Sequence, residues 1–288
     1  MSECPRKELR KLLASETILA PGAYDAWSAK LIEQAGFPAV YMTGYGVSAS
    51  LLARPDIGLV TLPEMVTTAR NIVNAVSVPV IVDADNGYGG NLNVMRTVIE
   101  FEAAGVAAVQ LEDQVSPKRC GHMEGKEIVP LGEMVAKLRA AIAARKDPNL
   151  VIIARTDARA VYGMDDALAR SKAYAEAGAD VIFLEAPESV DEMKRARKEL
   201  SVPLLANMVN RGKTPCLPVS ELQAMGYAIV IYPVLSIYAA TKGCMDILSA
   251  LKQDGYVDAM PDKMASFPDF NKAINLEGLR KLEASFSK

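Results

Sequence analysis

Ala104-Gly105-Val106-Ala107-Ala108-Val109-Gln110-Leu111-Glu112-Asp113 sets the plan of the chain. A helical stretch ends on Gly105, a residue suited to the position just past a helix C-terminus. An apolar strand follows and stops on two carboxylates. The same junction recurs at Ala35-Gly36-Phe37-Pro38-Ala39-Val40, Ala177-Gly178-Ala179-Asp180-Val181-Ile182 and Met225-Gly226-Tyr227-Ala228-Ile229-Val230. A second kind, with proline at the strand start, appears as Ser77-Val78-Pro79-Val80-Ile81-Val82 and Ser201-Val202-Pro203-Leu204-Leu205-Ala206.

Working outward gives eight short apolar strands, near residues 18–20, 39–42, 80–83, 108–112, 151–155, 181–185, 204–207 and 228–232. Amphipathic stretches of helical length separate them, such as 91–104 and 165–177. Continuously apolar strands alternating with helices indicate a parallel sheet buried on both faces. Eight such units predict an α/β fold of the TIM (β/α)8 barrel type. A doubly wound open sheet is the alternative, but no GxGxxG follows the first strand. No Pro/Gly/Ser-rich linker interrupts the pattern, so residues 1–288 are expected to form one domain. Residues 6–14 read as a short helix outside the barrel, and Pro21-Gly22 as a turn into a helix reaching Ala35. After Gly255 come a polar loop and a last helix, Leu276 to Ser285.

Composition excludes several classes. The chain of 288 residues is 50% hydrophobic and 23% charged, enough for a large core. Its net charge of −3 carries no basic block, so nothing favours nucleic acid or an anionic membrane. No apolar run approaches the ~20 residues of a membrane span. Residues 1–13 are charged and do not read as a secretory signal. Cys4, Cys120, Cys216 and Cys244 are widely spaced, with no CxxC, which points to a reducing cytoplasm rather than a zinc site. Cys4, Cys216 and Cys244 read as packing or surface residues. Met65, Met95, Met164, Met225 and Met245 read as core.

The strand ends are polar: Tyr41-Met42-Thr43-Gly44, Asp83-Ala84-Asp85, Glu112-Asp113, Arg155-Thr156-Asp157, Glu185 and Asn207. A barrel builds its active site there. Helix capping is the competing reading of any single Asp or Asn, and for Asp157 alone it is the favoured one. Asp83 and Asp85 stand at i and i+2, on one face of a strand, so both carboxylates can approach one cation. Glu112 can add a third oxygen. Such donors suit Mg²⁺ or Mn²⁺, and Mg²⁺ tends to keep waters and few direct ligands. Asp113 falls on the opposite face from Glu112. Arg155 is explained equally by a substrate carboxylate or a structural ion pair. Thr43, Gly44, Tyr45 and Gly46 can offer backbone N–H groups to a second anionic group.

Beyond the fourth strand lies Lys118-Arg119-Cys120-Gly121-His122-Met123-Glu124-Gly125-Lys126, with the only histidine of the chain. Its basic side chains favour the Cys120 thiolate. The alternative is a surface loop that happens to contain cysteine.

In this order and spacing, Asp83-Ala-Asp85, Glu112-Asp-Gln114, Lys118-Arg-Cys120-Gly-His122 and Arg155-Thr-Asp157 resemble the isocitrate lyase/phosphoenolpyruvate mutase superfamily. The likeness runs from Pro21-Gly22-Ala23-Tyr24-Asp25 to Phe267-Pro268-Asp269-Phe270-Asn271. The cysteine loop is specific to the lyase branch. Gly44-Tyr45, Cys120-Gly-His122-Met123, Asn207-Met208 and Gly212-Lys213-Thr214-Pro215 match its 2-alkylmalate group. Asn86 stands where that group usually has Thr, and Asn210 where it often has Glu, which bears on substrate detail.

The resemblance implies a TIM barrel that exchanges its eighth helix between subunits of a homotetramer. It implies Mg²⁺ (or Mn²⁺) held mainly by Asp85, with Asp83, Glu112 and Asp56. It further implies cleavage of a 2-hydroxy dicarboxylate, such as a 2-alkylmalate, to a 2-keto acid and a carboxylate. Cys120 would be the general acid, Tyr41 or a bound water the base, and Arg155 the stabiliser of negative charge. Glu185 would position Arg155 or substrate, and His122 would join the catalytic set. Thr43, Gly44, Tyr45, Lys118, Arg119, Gly121, Asn207, Thr214 and Pro233 would bind substrate, with the 118–126 loop closing over it. Cleavage of 2-methylisocitrate, or a phosphoenolpyruvate-mutase-like or oxaloacetate-cleaving activity, are the alternatives.

Overall fold

The computed structural model describes residues 4–119, 121, 125–256 and 261–287. Cys120, His122 and Met123 lie outside the described residues. The chain divides into two compact units, Met1–Ser236 and Ile237–Lys288.

In the first unit, helix α1 (Pro5–Ser15) precedes β1 (Ile18–Ala23), α2 (Ala26–Gln34), β2 (Val40–Met42), α3 (Gly44–Leu52), α4 (Leu62–Ala75) and β3 (Val80–Asp83). Then come α5 (Asn91–Ala104), β4 (Ala108–Glu112), α6 (Leu131–Ala144), β5 (Val151–Thr156), α7 (Ala158–Tyr162) and α8 (Met164–Glu176). Last are β6 (Val181–Leu184), α9 (Val190–Glu199), β7 (Leu204–Asn207), α10 (Val219–Met225) and β8 (Ile229–Tyr232). The eight strands are parallel and close in sequence order, β1 against β8. This is the predicted TIM barrel. Helix α11 (Leu235–Asp254) runs into the second unit, which also holds α12 (Phe267–Ala273) and α13 (Leu276–Ser285).

Period-2 alternation sorts each strand into two layers. Ile18, Tyr41, Ile81, Ala108, Ile153, Phe183, Leu205 and Ile229 pack together inside the barrel, with Leu9 and Leu12 of α1. Their neighbours Val40, Val82, Val109, Ile152, Ile182 and Val230 pack outward against helical residues such as Phe101, Leu138 and Tyr174. Continuing the inner line past each apolar residue reaches Asp83, Gln110, Glu112, Arg155, Glu185 and Asn207. Glu112 pairs with Arg155 across β4 and β5, and Asp83 with Gln110 across β3 and β4. The fold thus delivers the strand-end polar residues to one mouth.

Local expectations needed three corrections. Pro21-Gly22 does not turn; Pro21 pairs with Tyr232 and Gly22 with Tyr41, so neighbours on both sides hold β1 extended. The turn comes at Asp25, whose carboxylate accepts from Ser28 N at 2.7 Å and caps α2. Met245 is not core but 64% exposed, like Leu248 and Leu251 of the same helix. The polar stretch after Gly255 also contains α12, capped by Ser266, which accepts from Asp269 N. Cys4, Cys216 and Cys244 are exposed. Among the described residues no helix is long and apolar enough to cross a membrane.

Candidate active site

Two charged clusters share the barrel mouth; Glu112 is ion-paired in the second, and its N–H donates to the Asp85 carbonyl of the first at 2.9 Å. In the first, the Lys118 ammonium lies 2.6 Å from Asp56 Oδ1, 2.7 Å from Asp56 Oδ2 and 2.6 Å from Asp85 Oδ1. All three side chains are buried. Asp83 Oδ1 accepts from Asp85 N at 3.1 Å and from Gln110 Nε2 at 3.4 Å. Gln110 Oε1 in turn accepts from the Tyr41 hydroxyl at 3.1 Å. The α3 N-terminus closes in from the side: a Cβ on Gly44 would stand 2.9 Å from Asp83 Oδ2, so only glycine fits without a shift. Asp85 itself has φ of 49°, in the left-handed region.

These oxygens are under-satisfied. Asp85 Oδ1 and Glu112 Oε1 are buried with no hydrogen-bond partner among the described residues. The short Lys118–Asp85 contact is an ion pair outside hydrogen-bond directionality. Burial pushes Asp85 up to about 7, opposed by Lys118 and reinforced by Asp83 and Asp56. Burial likewise holds Glu112 well above the usual carboxylate range, against Arg155 and Lys118. Burial also works against the Lys118 charge, but Asp85, Asp56, Asp83 and Glu112 hold it well above the ordinary lysine value. Orphaned carboxylate oxygens in excess over one ammonium fit a hard divalent cation. Among the described residues no three acidic, His or Cys groups converge tightly enough to hold an ion by themselves. Water would therefore complete its coordination.

Arg155 organises the second cluster. Its Nε donates to Asp157 Oδ2 at 2.9 Å and Nη2 to Asp157 Oδ1 at 3.1 Å. Glu112 Oε2 lies 3.3 Å from Nε, and Glu185 Oε1 4.0 Å from Nη2. The guanidinium stacks over Phe183 at 5.0 Å. Asn207 Nδ2 donates to Glu185 Oε2 at 3.3 Å. Lys126 Nζ donates to Asp157 Oδ1 at 2.9 Å and to the Gly121 carbonyl. Burial opposes the Asp157 charge, but Arg155 and Lys126 hold that carboxylate below its usual range. A Cβ on Gly121 would lie 2.3 Å from Arg155 Nη2, so this loop residue reaches the cluster only because it has none. Gln114 clamps Arg119 on both sides, Nε2 to its carbonyl at 2.8 Å and Oε1 from its N–H at 2.9 Å.

Residues 9–252 match the family model described as phosphoenolpyruvate phosphomutase. The chain is 53% identical over 281 residues to 2,3-dimethylmalate lyase of Eubacterium barkeri, covering 97% of each. The chain belongs to the phosphoenolpyruvate mutase/isocitrate lyase superfamily. It is also 42% identical over 287 residues to 2-methylisocitrate lyase of Aeropyrum pernix, covering 99% of this chain and 92% of that one. Among solved structures, oxaloacetate acetylhydrolase with 3,3-difluorooxalacetate superposes with a TM-score of 0.94 at 36% identity, covering 99% of this chain and 97% of that one. Phosphonopyruvate hydrolase with oxalate and Mg²⁺ gives 0.90 at 32%, covering 99% and 100%. Placed among the lyases of this superfamily, the chain is a carbon–carbon lyase.

Within that superfamily fold, contacts tie Asp56, Lys118 and Asp85 together, join Asp83 to Tyr41, and join Glu112 to Arg155, Glu185 and Asn207. Thr43 caps α3, accepting from Gly46 N at 3.3 Å, and Gly44 and Tyr45 open that helix. Thr214 and Pro233 are buried, with no hydrogen bond or ion pair to either cluster among the described residues. Asp157 stands at the N-cap of α7 but makes no side-chain cap bond. Its carboxylate serves Arg155 and Lys126 instead, correcting the capping expectation. Asp113 faces outward as expected, accepting from Thr156 Oγ1, Asp157 N and the Tyr174 hydroxyl. Gln110 and Tyr88 carry no site signal in the sequence, and Lys126 stands in the expected basic loop at 118–126 without an expected role of its own. The Tyr88 hydroxyl is buried beside Asp85 without a hydrogen-bond partner among the described residues.

Proposed function

We propose that this lyase cleaves the C2–C3 bond of a 2-alkylmalate such as 2,3-dimethylmalate, giving a 2-keto acid such as pyruvate and a carboxylate such as propionate. The observation that carries the reading is Glu112, which is ion-paired with a buried guanidinium while its N–H donates to the Asp85 carbonyl, beside carboxylate oxygens that lack partners among the described residues. Asp85, with Asp83, Glu112 and Asp56 directly or through water, would hold Mg²⁺ or Mn²⁺. That cation supplies Lewis-acid polarisation of the 2-hydroxyl and its carboxylate. Arg155 faces the negative charge that develops as the bond breaks, already oriented by Asp157 and Glu185. The electron pair of the broken bond passes to C3, and Cys120 delivers a proton there. Tyr41 donates to Gln110 and is held well above its ordinary value by burial and Asp83, so it keeps its proton at neutral pH. The hydroxyl proton then leaves to water, with Tyr41 as a positioning residue. Cys120 and His122 enter this reading from the sequence alone.

Substrate choice turns on charge. 2-Methylisocitrate brings a third carboxylate, and a buried unpaired charge is expensive. Lys118, Arg155 and Lys126 are already committed to the chain's own carboxylates. Arg211, a further cation that could meet such a charge, is exposed. Met123 in the loop offers an adaptable apolar surface instead. We further infer a cytoplasmic homotetramer in which α11 is exchanged between copies and residues 1–288 work as one barrel domain. Tyr238, Met245, Leu248 and Leu251 are exposed along that helix and need a cover. Light scattering reads the assembly. The function is tested by comparing kcat/KM for 2,3-dimethylmalate and 2-methylisocitrate at equal Mg²⁺ and pH. Preference for the dialkylmalate is expected, and preference for 2-methylisocitrate would reverse the substrate assignment while leaving the lyase chemistry.

A further inference from the structure

We propose that Lys118 is a built-in competitor for the divalent cation, so that metal binding at this site is an exchange rather than an addition. The inference rests on the metal role of Asp85 proposed above. Lys118 is the one cationic side chain bonded to the aspartates of the first cluster among the described residues. Its side chain is 4% exposed, and its ammonium bridges Asp56 and Asp85, themselves 10% and 8% exposed. A lysine so placed does what a cation would do for the metal-free chain. It offsets carboxylates that burial has stripped of water.

The distances make the two cations rivals. Lys118 Nζ is 2.6 Å from Asp85 Oδ1. An ion on the same oxygen would lie about 2.1 Å from it. The two positive centres could then be no more than roughly 5 Å apart, a range where like charges repel strongly in a buried site. Either Lys118 gives up Asp85 or the ion binds against its field; both weaken metal binding. Asp56 gives the ammonium a place to remain after release, since both its oxygens already contact Nζ. The lysine therefore stabilises the metal-free fold and holds the ion reversibly.

The test is Mn²⁺ binding by the full chain, stripped with chelator and followed by calorimetry and by the electron-paramagnetic signal of free Mn²⁺. Native protein is compared with Lys118→Gln and Lys118→Arg. Lys118→Gln is expected to bind Mn²⁺ about tenfold or more tightly, as loss of a neighbouring like charge requires. Its metal-free Tm should be lower, and its rise in Tm on adding Mn²⁺ larger, than those of the native chain. A Lys118→Gln chain that folds only with Mn²⁺ gives the same support. Lys118→Arg keeps the charge and should bind no more tightly than native. Equal or weaker binding by Lys118→Gln, or tighter binding by Lys118→Arg, would overturn the exchange while native binding leaves the metal site standing. No Mn²⁺ binding by any of the three would overturn both.

Discussion

Replacing Arg155 by methionine should destabilise the chain and do so at least as much at high pH as at low. Arg155 donates two hydrogen bonds to Asp157 and is ion-paired with Glu112, all at side-chain exposures of 8% or less. Asp157 would retain Lys126. Glu112 would lose its only ion pair among the described residues, with its Oε1 already lacking a hydrogen-bond partner there. Removing one partner of a buried pair costs about 3–5 kcal/mol. At about 2–4 °C per kcal/mol in a large domain, Tm should fall by about 6–20 °C.

The pH dependence follows from the two carboxylates. Asp157 is held below its usual range in the native chain, so its contribution is complete above the unfolded value and is lost only in strong acid. It stays constant between pH 6 and 8. Glu112 is held above its usual range, so the fold favours its protonated form, and stability from it is lost as pH rises through the folded value. Without Arg155, its largest opposing influence, that value rises further. The Tm deficit should accordingly be no smaller at pH 8 than at pH 6. Calorimetry in chelator at both pH values measures it; a variant within 2 °C of native at pH 8 would refute the assignment of Arg155 as the counterion of Glu112.

Cys120→Ser should retain Mn²⁺ and pyruvate binding and lose roughly 10²–10⁴-fold in turnover, the usual worth of general acid–base catalysis; near-normal turnover would remove Cys120 from the chemistry. Gln110→Leu deletes the link from Tyr41 to Asp83. Weaker Mn²⁺ binding and roughly tenfold slower turnover are expected, in line with the loss of hydrogen bonds worth about 1 kcal/mol each; unchanged Mn²⁺ affinity would show that Asp83 needs no such support.

Much of this is legible in the sequence itself. Glycine-ended helices mark four of the eight strands, proline at the strand start marks two more, and short apolar runs alone mark the other two, because parallel strands buried on both faces leave an unbroken hydrophobic signature. Strand-end polarity found Asp83, Asp85, Glu112, Arg155, Glu185 and Asn207, since period-2 alternation carries the inner line outward from the core. Gln110 escaped because an amide inside a strand looks like any tolerated polar residue; its meaning lies in partners on two other strands. Asp157 reads as a cap because it stands at a helix start, and the loop cation Lys126 that also claims its carboxylate is far away in sequence. The family resemblance makes Lys118 a substrate ligand, and only the fold shows Asp56 and Asp85 converging on it. Met245 was placed in the core because helical spacing marks an apolar face without saying what covers it.

The most direct test follows pyruvate release from 2,3-dimethylmalate by the native chain in excess chelator, then after Mg²⁺ is restored, with Asp85→Ala and Asp113→Ala alongside. No turnover in chelator and full recovery with Mg²⁺ are expected. Asp85→Ala should remain nearly inactive and Asp113→Ala should lose far less, since Asp113 faces the helices rather than the barrel mouth. Undiminished pyruvate release in excess chelator, or an active Asp85→Ala chain, would contradict metal-assisted cleavage at this site.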